Sequence, residues 1–505
     1  MRPRSASDRL FYLVVGALTL LAVAPFWLTR LLPMQDYPHL LVLSRAYFDC
    51  RDPASPFFGT YTTGFPLSPL LLLFVVLRAV ASVSSVETAG RVVWTLYAVG
   101  LPAACAYLLR VLGRDRWAVL LVYPLLISYW VIGGFFAFAT AAPLLVLGLA
   151  CAVRWLEAPS WRRGAALAAI ACALHLWHAL VFAQLLFDFG VLWLLFRFDD
   201  PRARLRALAP VLPALALFAA WMLATVHGRA PGTRPPLWPP FLDNAGRFFE
   251  YIGPIVPGAA GAVTLLALLL AAGGLARLSP GAPRTSPTPS PFRVHNPFAV
   301  LALLAALSFL CFPIVCFGVE GINNRQPWLA ALLFVFGWSL PARPAPRAAL
   351  LALVGAAGAL ALGHLGARFA AFDRETAGAS RLIDRLGPSD TLLAPIGPGA
   401  TASFPGKPLV ALDLYATLRH GGLPNASFAG YDIMLIRYVN DRNPMPGLGA
   451  GWLTDPALRR FDYVLLREAG AASAAARPRV LRQVARDGEW VLFGVCGSKA
   501  TPTCG

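Results

Sequence analysis

Charge is what this sequence of 505 residues has least of. Asp, Glu, Lys and Arg together make up 13% of it, where an ordinary soluble domain carries about 25%. That scarcity excludes the three soluble domains that length alone would suggest. Cysteine is sparse as well, with eight in the chain, and no Cys/His spacing resembles a zinc site. Cys105, Cys151, Cys172, Cys311 and Cys316 lie in or against apolar runs, where a thiol behaves as a small hydrophobe. Cys496 and Cys504 sit close together in a polar tail, where an oxidising compartment would let them pair, and Cys50 is left over. No small-x-small cleavage site follows the first apolar run, whose end is the bulky Phe26-Trp27-Leu28-Thr29-Arg30. The run therefore reads as an uncleaved anchor rather than a signal peptide. No internal repeat is visible. The net charge of +18 has no single basic face either, because the arginines fall in short loops between apolar runs. That excludes nucleic acid as a partner and leaves the positive-inside signal of a membrane protein.

What the chain has in abundance is apolar length. Hydrophobic residues make up 58% of it, and the mean hydropathy is +0.63. Runs near the roughly 20 residues that cross a hydrocarbon core occur at 10–32, 67–83, 91–109, 117–131, 135–153, 164–178, 181–196, 207–227, 252–273, 298–317, 327–340 and 348–370. The pattern predicts an all-α polytopic membrane bundle of about 11–13 transmembrane helices, followed by a small C-terminal extracytoplasmic α/β domain. We divide the chain into residues 1–32 (tail and first span), 33–66 (first outer loop), 67–371 (multi-span bundle) and 372–505 (outer domain). Residues 279–291 form a Pro/Ser-rich cytoplasmic linker.

The arginine-bearing loops put residues 131–135, 178–181, 228–250, 318–326 and the tail outside, and Arg2, Arg4 and Arg9 hold the N-terminus inside. Twelve spans would return the tail to the inside, so this parity fails somewhere between residues 33 and 110. Either 67–83 is not a full crossing or a crossing is missed. In the tail we expect helices over 374–386, 413–419 and 478–486, strands over 391–395, 408–412, 461–466 and 489–495, and a long loop over 421–456 that covers a membrane cavity.

Chemistry concentrates where the chain first leaves the membrane, in Pro33-Met34-Gln35-Asp36-Tyr37-Pro38-His39. A carboxylate just outside a lipid-buried helix meets both a soluble acceptor and a lipid headgroup. Asp36 fits a general base, and the plainer reading is a helix-end carboxylate facing water. His39 would orient Asp36 or contact an anion. Arg325, in the polar loop Val319-Glu320-Gly321-Ile322-Asn323-Asn324-Arg325-Gln326, suits a phosphate or serves as an interfacial anchor. Asn324 belongs to the same loop, and Glu320 is a second carboxylate that would assist a donor or a Mg²⁺. His175 and His178, three residues apart, would share a helical face, as ligands for sugar or phosphate or as partners in an interhelix bond.

A first helix, an immediate Asp-bearing outer loop, many further spans and an outer α/β tail together resemble the GT-C superfamily of membrane glycosyltransferases. Residues 123–156, from Tyr123-Pro124-Leu125-Leu126 through Gly133-Gly134-Phe135 to Arg154-Trp155, are similar to a segment of its bacterial members. Phe461-Asp462-Tyr463-Val464-Leu465-Leu466 is similar to part of their outer domains. The resemblance implies a polyprenyl-phosphate-linked sugar donor and Asp36 as catalytic base in the bacterial inner membrane, with the site and tail facing the periplasm. The acceptor would be a glycan, a lipid or a protein. Many members carry two adjacent acidic residues in this loop, whereas position 37 here is Tyr, so the resemblance does not indicate a divalent metal and leaves the cofactor unknown. The rival classes are a secondary transporter or lipid flippase, which usually shows repeated halves, and a non-enzymatic envelope assembly protein, in which Asp36 would be dispensable.

Overall fold

The structure, a computed structural model, describes residues 6–226, 236–252, 292–316, 319–337, 340–341, 343–396, 401–404, 407–430, 434–439, 451–475, 479–499 and 501. The expected span 252–273, the linker 279–291 and Cys504 lie essentially outside these residues, as does much of the 421–456 loop.

The apolar runs form helices, and the chain is a multi-pass membrane protein. Among the described residues five helices are long and apolar enough to cross a membrane: Asp8–Leu28, Val86–Val111, Phe136–Glu157, Pro201–Thr225 and Pro344–Ile383. Shorter apolar helices include Leu71–Ala81, Ala179–Leu195 and Pro297–Cys311. Leu71–Ala81 has only 11 residues, so it reaches about 16 Å, half of the roughly 30 Å core. It lies within the stretch where the parity of the sequence count fails. The run 117–131 is broken into a 3-10 turn, Arg116–Val122, and two single-turn helices, Tyr123–Leu126 and Tyr129–Ile132.

The chain divides into two compact units. The first comprises residues 1–24, 93–131 and 137–366, and the second residues 25–92, 132–136 and 367–505. In the first, the core is a bundle whose largest buried side chains include Trp94, Trp130, Tyr123 and Trp328. Trp328 Nε1–H donates to the Leu125 carbonyl at 2.9 Å, which satisfies the indole inside apolar surroundings.

The second unit contains the tail and its sheet. Four strands lie in the order Leu392–Leu393, Tyr463–Arg467, Trp490–Val495, Leu481–Asp487, with the first pair parallel and the rest antiparallel. Leu393, Val464, Leu466, Val491 and Phe493 form its core. Two expectations for the tail are corrected. Residues 478–486 were expected to be a helix, but Leu481–Asp487 is a strand. Gly488-Glu489, with Gly488 at φ +60°, turns it into a hairpin with Trp490–Val495. Residues 408–412, expected as a strand, are turns closed by Val410 N–H to Lys407 O and Leu412 N–H to Leu409 O. The expected helix over 374–386 is the end of one continuous 40-residue helix, Pro344–Ile383. Buried Phe369, Phe372, Thr376, Ala379 and Leu382 keep a helical spacing through the polar Asp373-Arg374-Glu375, so the helix continues.

The same unit holds a pairing that the sequence did not foretell. Tyr61–Thr63, in the segment 33–66, pairs antiparallel with Ile436–Tyr438, which lies within the stretch expected as loop. Arg419 ties three helices together: its guanidinium bonds Glu87 at 2.7 and 3.0 Å, Asp384 at 2.9 Å and Ser380 at 3.2 Å. Cys496 is disulfide-bonded.

Candidate functional site

The sequence-derived site residues fall into two groups, one in each unit. Asp36 and His39 belong to the second unit; His175, His178, Glu320, Asn324 and Arg325 belong to the first.

Asp36 is the N-cap of the helix Tyr37–Asp49 and is half-buried. An N-cap carboxylate normally accepts from the amides of the second or third helical residue. Asp115, Asp200 and Asp455 do so elsewhere in this chain. Asp36 does not: its backbone is right-handed (φ −92°, ψ −10°), and its side chain makes no cap bond. Pro38, in the first turn, has no N–H to offer. The helix end is thus built so that its carboxylate is not spent on the cap.

The backbone beneath that carboxylate is held from several sides. Asp36 N–H donates to Gly133 O at 3.2 Å. Gly134, at φ +79°, packs so closely that an added Cβ would lie 2.5 Å from Asp36 N and 2.6 Å from Tyr37 N. Only glycine combines that dihedral with that approach. Tyr37 packs edge-on against Phe136 at 5.1 Å, and its ring end fits against Gly90. Upstream, Arg30 N–H donates to Asp373 Oδ1 at 2.6 Å and Leu32 N–H to the Tyr415 hydroxyl at 3.3 Å. Such over-determined backbone is what a reacting carboxylate needs to keep its geometry.

His39 lies in the first turn and stacks on Phe428, with centroids 4.2 Å apart and planes 9° from parallel. Burial pushes its imidazole down from 6.5 to about 3, so it is neutral at pH 7 and offers an anion a hydrogen bond rather than a charge.

In the first unit, Arg325 ends a 3-10 turn, Asn323–Arg325, directly before the helix Gln326–Gly337. It is 6% exposed, and its guanidinium lies 5.9 Å from the Trp130 ring centre and 5.4 Å from that of Phe138. His178 meets the same Phe138 ring edge-on at 5.8 Å. Asn324 is buried, and its Oδ1 has no hydrogen-bond partner among the described residues. Arg325, Asn324 and His178 thus share one neighbourhood, in which a partly desolvated guanidinium matches the geometry of a phosphate.

His175 does not join them. It is fully buried among Phe182, Phe218 and Trp221. The shared helical face expected for the two histidines is also absent. The helix Trp161–Trp177 ends before His178, which is extended (φ −162°, ψ 113°) and caps the next helix through Nδ1, accepting Val181 N–H. Glu320 lies in a two-residue strand paired with Val315, and its side chain is outside the described residues. Among the described residues no three His, Cys, Asp or Glu side chains gather as a metal site.

In the sequence, Gly133-Gly134 stood out only as part of a family-like segment, with nothing to place it under Asp36. Trp130 and Phe138 gave no signal, because aromatic residues are common in membrane cores. Asp188 did give one that went unused: a lone carboxylate inside the apolar run 181–196.

The chain thus combines a multi-pass helical bundle, a carboxylate at the start of the helix that follows the first span, and a small mixed sheet. No protein-family model and no curated protein sequence matches the chain. Solved structures do. ArnT from Cupriavidus metallidurans in the apo state is 14% identical with a TM-score of 0.54, over 97% of this chain and 98% of ArnT. Arabinofuranosyltransferase AftD from Mycobacteria is 14% identical with a TM-score of 0.51, over 99% of this chain. The chain spans 40% of the length of AftD. The chain shares the fold of these two proteins.

Proposed function

We propose that the protein is an integral-membrane glycosyltransferase that moves a sugar from a polyprenyl-phosphate donor to an acceptor outside the cytoplasm. The observation that carries this reading is Asp36: a half-buried helix-end carboxylate in the first outer loop, on backbone fastened by Gly133 and Gly134. Fold likeness alone is analogy, so the chemistry is argued from that residue. Asp36 takes the proton of an acceptor hydroxyl, the hydroxyl oxygen attacks the anomeric carbon, and the polyprenyl phosphate leaves with the electron pair of the broken C–O bond. Separately, in the first unit, Arg325 is the candidate ligand for the phosphate of a polyprenyl-linked substrate, with Asn324 and His178 as its neighbours. His39, being neutral, orients Asp36 or donates a single bond.

The tail faces an oxidising compartment in this reading, in keeping with disulfide-bonded Cys496. The enzyme then works at the outer face of a bacterial inner membrane. The arabinofuranosyl transfer in AftD's name brings pentoses alongside hexoses as sugars to try. The test is incubation of the purified protein in nanodiscs with a panel of labelled polyprenyl-phosphate sugars and crude envelope acceptors. Accumulation of sugar-free polyprenyl phosphate together with labelled product supports the reading. Movement of intact donor between leaflets of proteoliposomes, with no release of phosphate, contradicts it and favours a flippase.

A further inference from the structure

Inside the apolar bundle of the first unit, three polar side chains form a ladder with no part in the chemistry above. Gln326 follows Arg325 and opens the helix Gln326–Gly337. Its Nε2–H donates to Gln184 Oε1 at 3.2 Å. Gln184 in turn donates from Nε2 to Asp188 Oδ1 at 2.8 Å, one turn further along the helix Ala179–Leu195. All three are buried, Asp188 completely. Asp188 Oδ2 and Gln326 Oε1 have no hydrogen-bond partner among the described residues.

Such a ladder is costly where it sits. A carboxyl group in the middle of an apolar helix is costly relative to a well-packed hydrophobe. Packing therefore does not account for Asp188, Gln184 and Gln326, which leucines would satisfy better. What the ladder does is fasten one end of the Asn323–Arg325 turn. The other end is already held, by Asn323 Nδ2–H to Phe309 O at 3.3 Å and by Ile322 N–H to Ile314 O at 3.2 Å. Arg325 lies between the two anchors. Without the ladder, the turn keeps its first anchor and can pivot about it, which swings the guanidinium off the Trp130 and Phe138 rings.

We propose that Asp188 is a positioning residue: through Gln184 and Gln326 it fixes the Asn323–Arg325 turn and so sets the affinity of Arg325 for the phosphate of a polyprenyl-linked substrate. This rests on the reading of Arg325 given under the proposed function. The ladder touches no substrate. It acts on how tightly the phosphate is held rather than on the transfer step.

The experiment uses the full-length protein in nanodiscs and measures equilibrium binding of sugar-free polyprenyl phosphate, followed by transfer kinetics. Asp188→Leu and Gln184→Leu remove the ladder, and Asp188→Asn keeps the Oδ1 acceptor. Arg325→Gln removes the phosphate ligand itself. Residues that act on a site without contacting its ligand typically shift affinity by about 3- to 30-fold. Asp188→Leu and Gln184→Leu are therefore expected to weaken binding and raise the donor KM by about that factor, with kcat at saturation changed less than about twofold. Asp188→Asn is expected to bind within about twofold of wild type, a rescue that a purely volumetric role would grant equally to leucine. If Arg325→Gln weakens binding while Gln184→Leu and Asp188→Leu bind as wild type, the inference is overturned and Arg325 stands. If Arg325→Gln itself leaves binding unchanged, the Arg325 reading and the inference fall together. Should Asp188→Leu fail to fold, Gln184→Leu and Asp188→Asn decide: Asp188→Asn binding as weakly as Gln184→Leu, with wild-type melting, contradicts the acceptor role.

Discussion

Replacing Gly134 by alanine tests whether the seat beneath Asp36 matters. The new Cβ would stand 2.5 Å from Asp36 N, 2.6 Å from Tyr37 N and 3.1 Å from Asp36 Cα. Ordinary contact needs about 3.5 Å, and the opposing atoms are backbone rather than a flexible side-chain end, so Asp36 and Tyr37 must move by roughly 1 Å. Gly134 also sits at φ +79°, where alanine costs about 1–2 kcal/mol. Overpacking adds about 1–3 kcal/mol. The expected loss of stability is therefore about 2–5 kcal/mol, seen as a lower melting temperature in detergent. A misplacement of about 1 Å in a reacting group lowers turnover by about 100-fold. The assay is transfer from a labelled polyprenyl-phosphate sugar, with melting followed in parallel. Gly190→Ala, where an added Cβ meets nothing within 4 Å, is the control and should keep both properties. Wild-type turnover in Gly134→Ala at an unchanged melting temperature would refute the idea that this seat positions Asp36.

Three further outcomes follow from the second unit. At Gly90 an added Cβ would lie 2.0 Å from the Tyr37 hydroxyl oxygen. Gly90→Ala should therefore destabilise by about 1–3 kcal/mol, and Tyr37→Phe should recover part of that loss in a double-mutant melting cycle. Burial raises the Asp413 carboxyl to about 7, against the bonding it receives from the Asn425 amide. The fold then holds this proton more tightly than the unfolded chain does. Stability falls as pH rises from about 4 through about 7, by up to about 4 kcal/mol for this one group. Asp413→Asn should flatten that slope and melt higher than wild type at pH 8; an unchanged slope would exclude Asp413 as its source. Arg419→Met leaves the part-buried Glu87 carboxylate without its bidentate partner and should cost about 3 kcal/mol, read as a drop in melting temperature with the site residues untouched.

The membrane class was legible because repeated apolar runs of spanning length fit little besides a helical bundle in lipid, and the place of Asp36 directly after the first helix followed from where the first run ends. Local chemistry was legible where it was self-contained, as for the helix at Asp413 and the strands at Tyr463 and Trp490. It failed where the deciding partner is distant in sequence. Leu481–Asp487 has the composition of either element, and only its pairing with Trp490–Val495 decides. Nothing in Tyr61-Thr62-Thr63 foretells a partner at Ile436, because a three-residue strand carries almost no periodicity. The helix through Asp373-Arg374-Glu375 was cut short on polarity, although its buried residues keep the helical spacing. Among the candidate residues, spacing misled for His175 and His178, since an extended residue at position 178 cancels the three-residue rule. The seat formed by Gly133 and Gly134 was hidden for another reason: a glycine pair states that backbone comes close without saying whose.

The most direct test of the central claim is transfer by Asp36→Asn, measured with donor binding on the same preparation. Asparagine keeps the shape of the side chain and removes the base. If Asp36 is the base, turnover falls by at least about 100-fold, with polyprenyl-phosphate sugar bound as tightly as by wild type. Transfer at the wild-type rate by Asp36→Asn would contradict it, and the base would have to be sought elsewhere, first at Glu320.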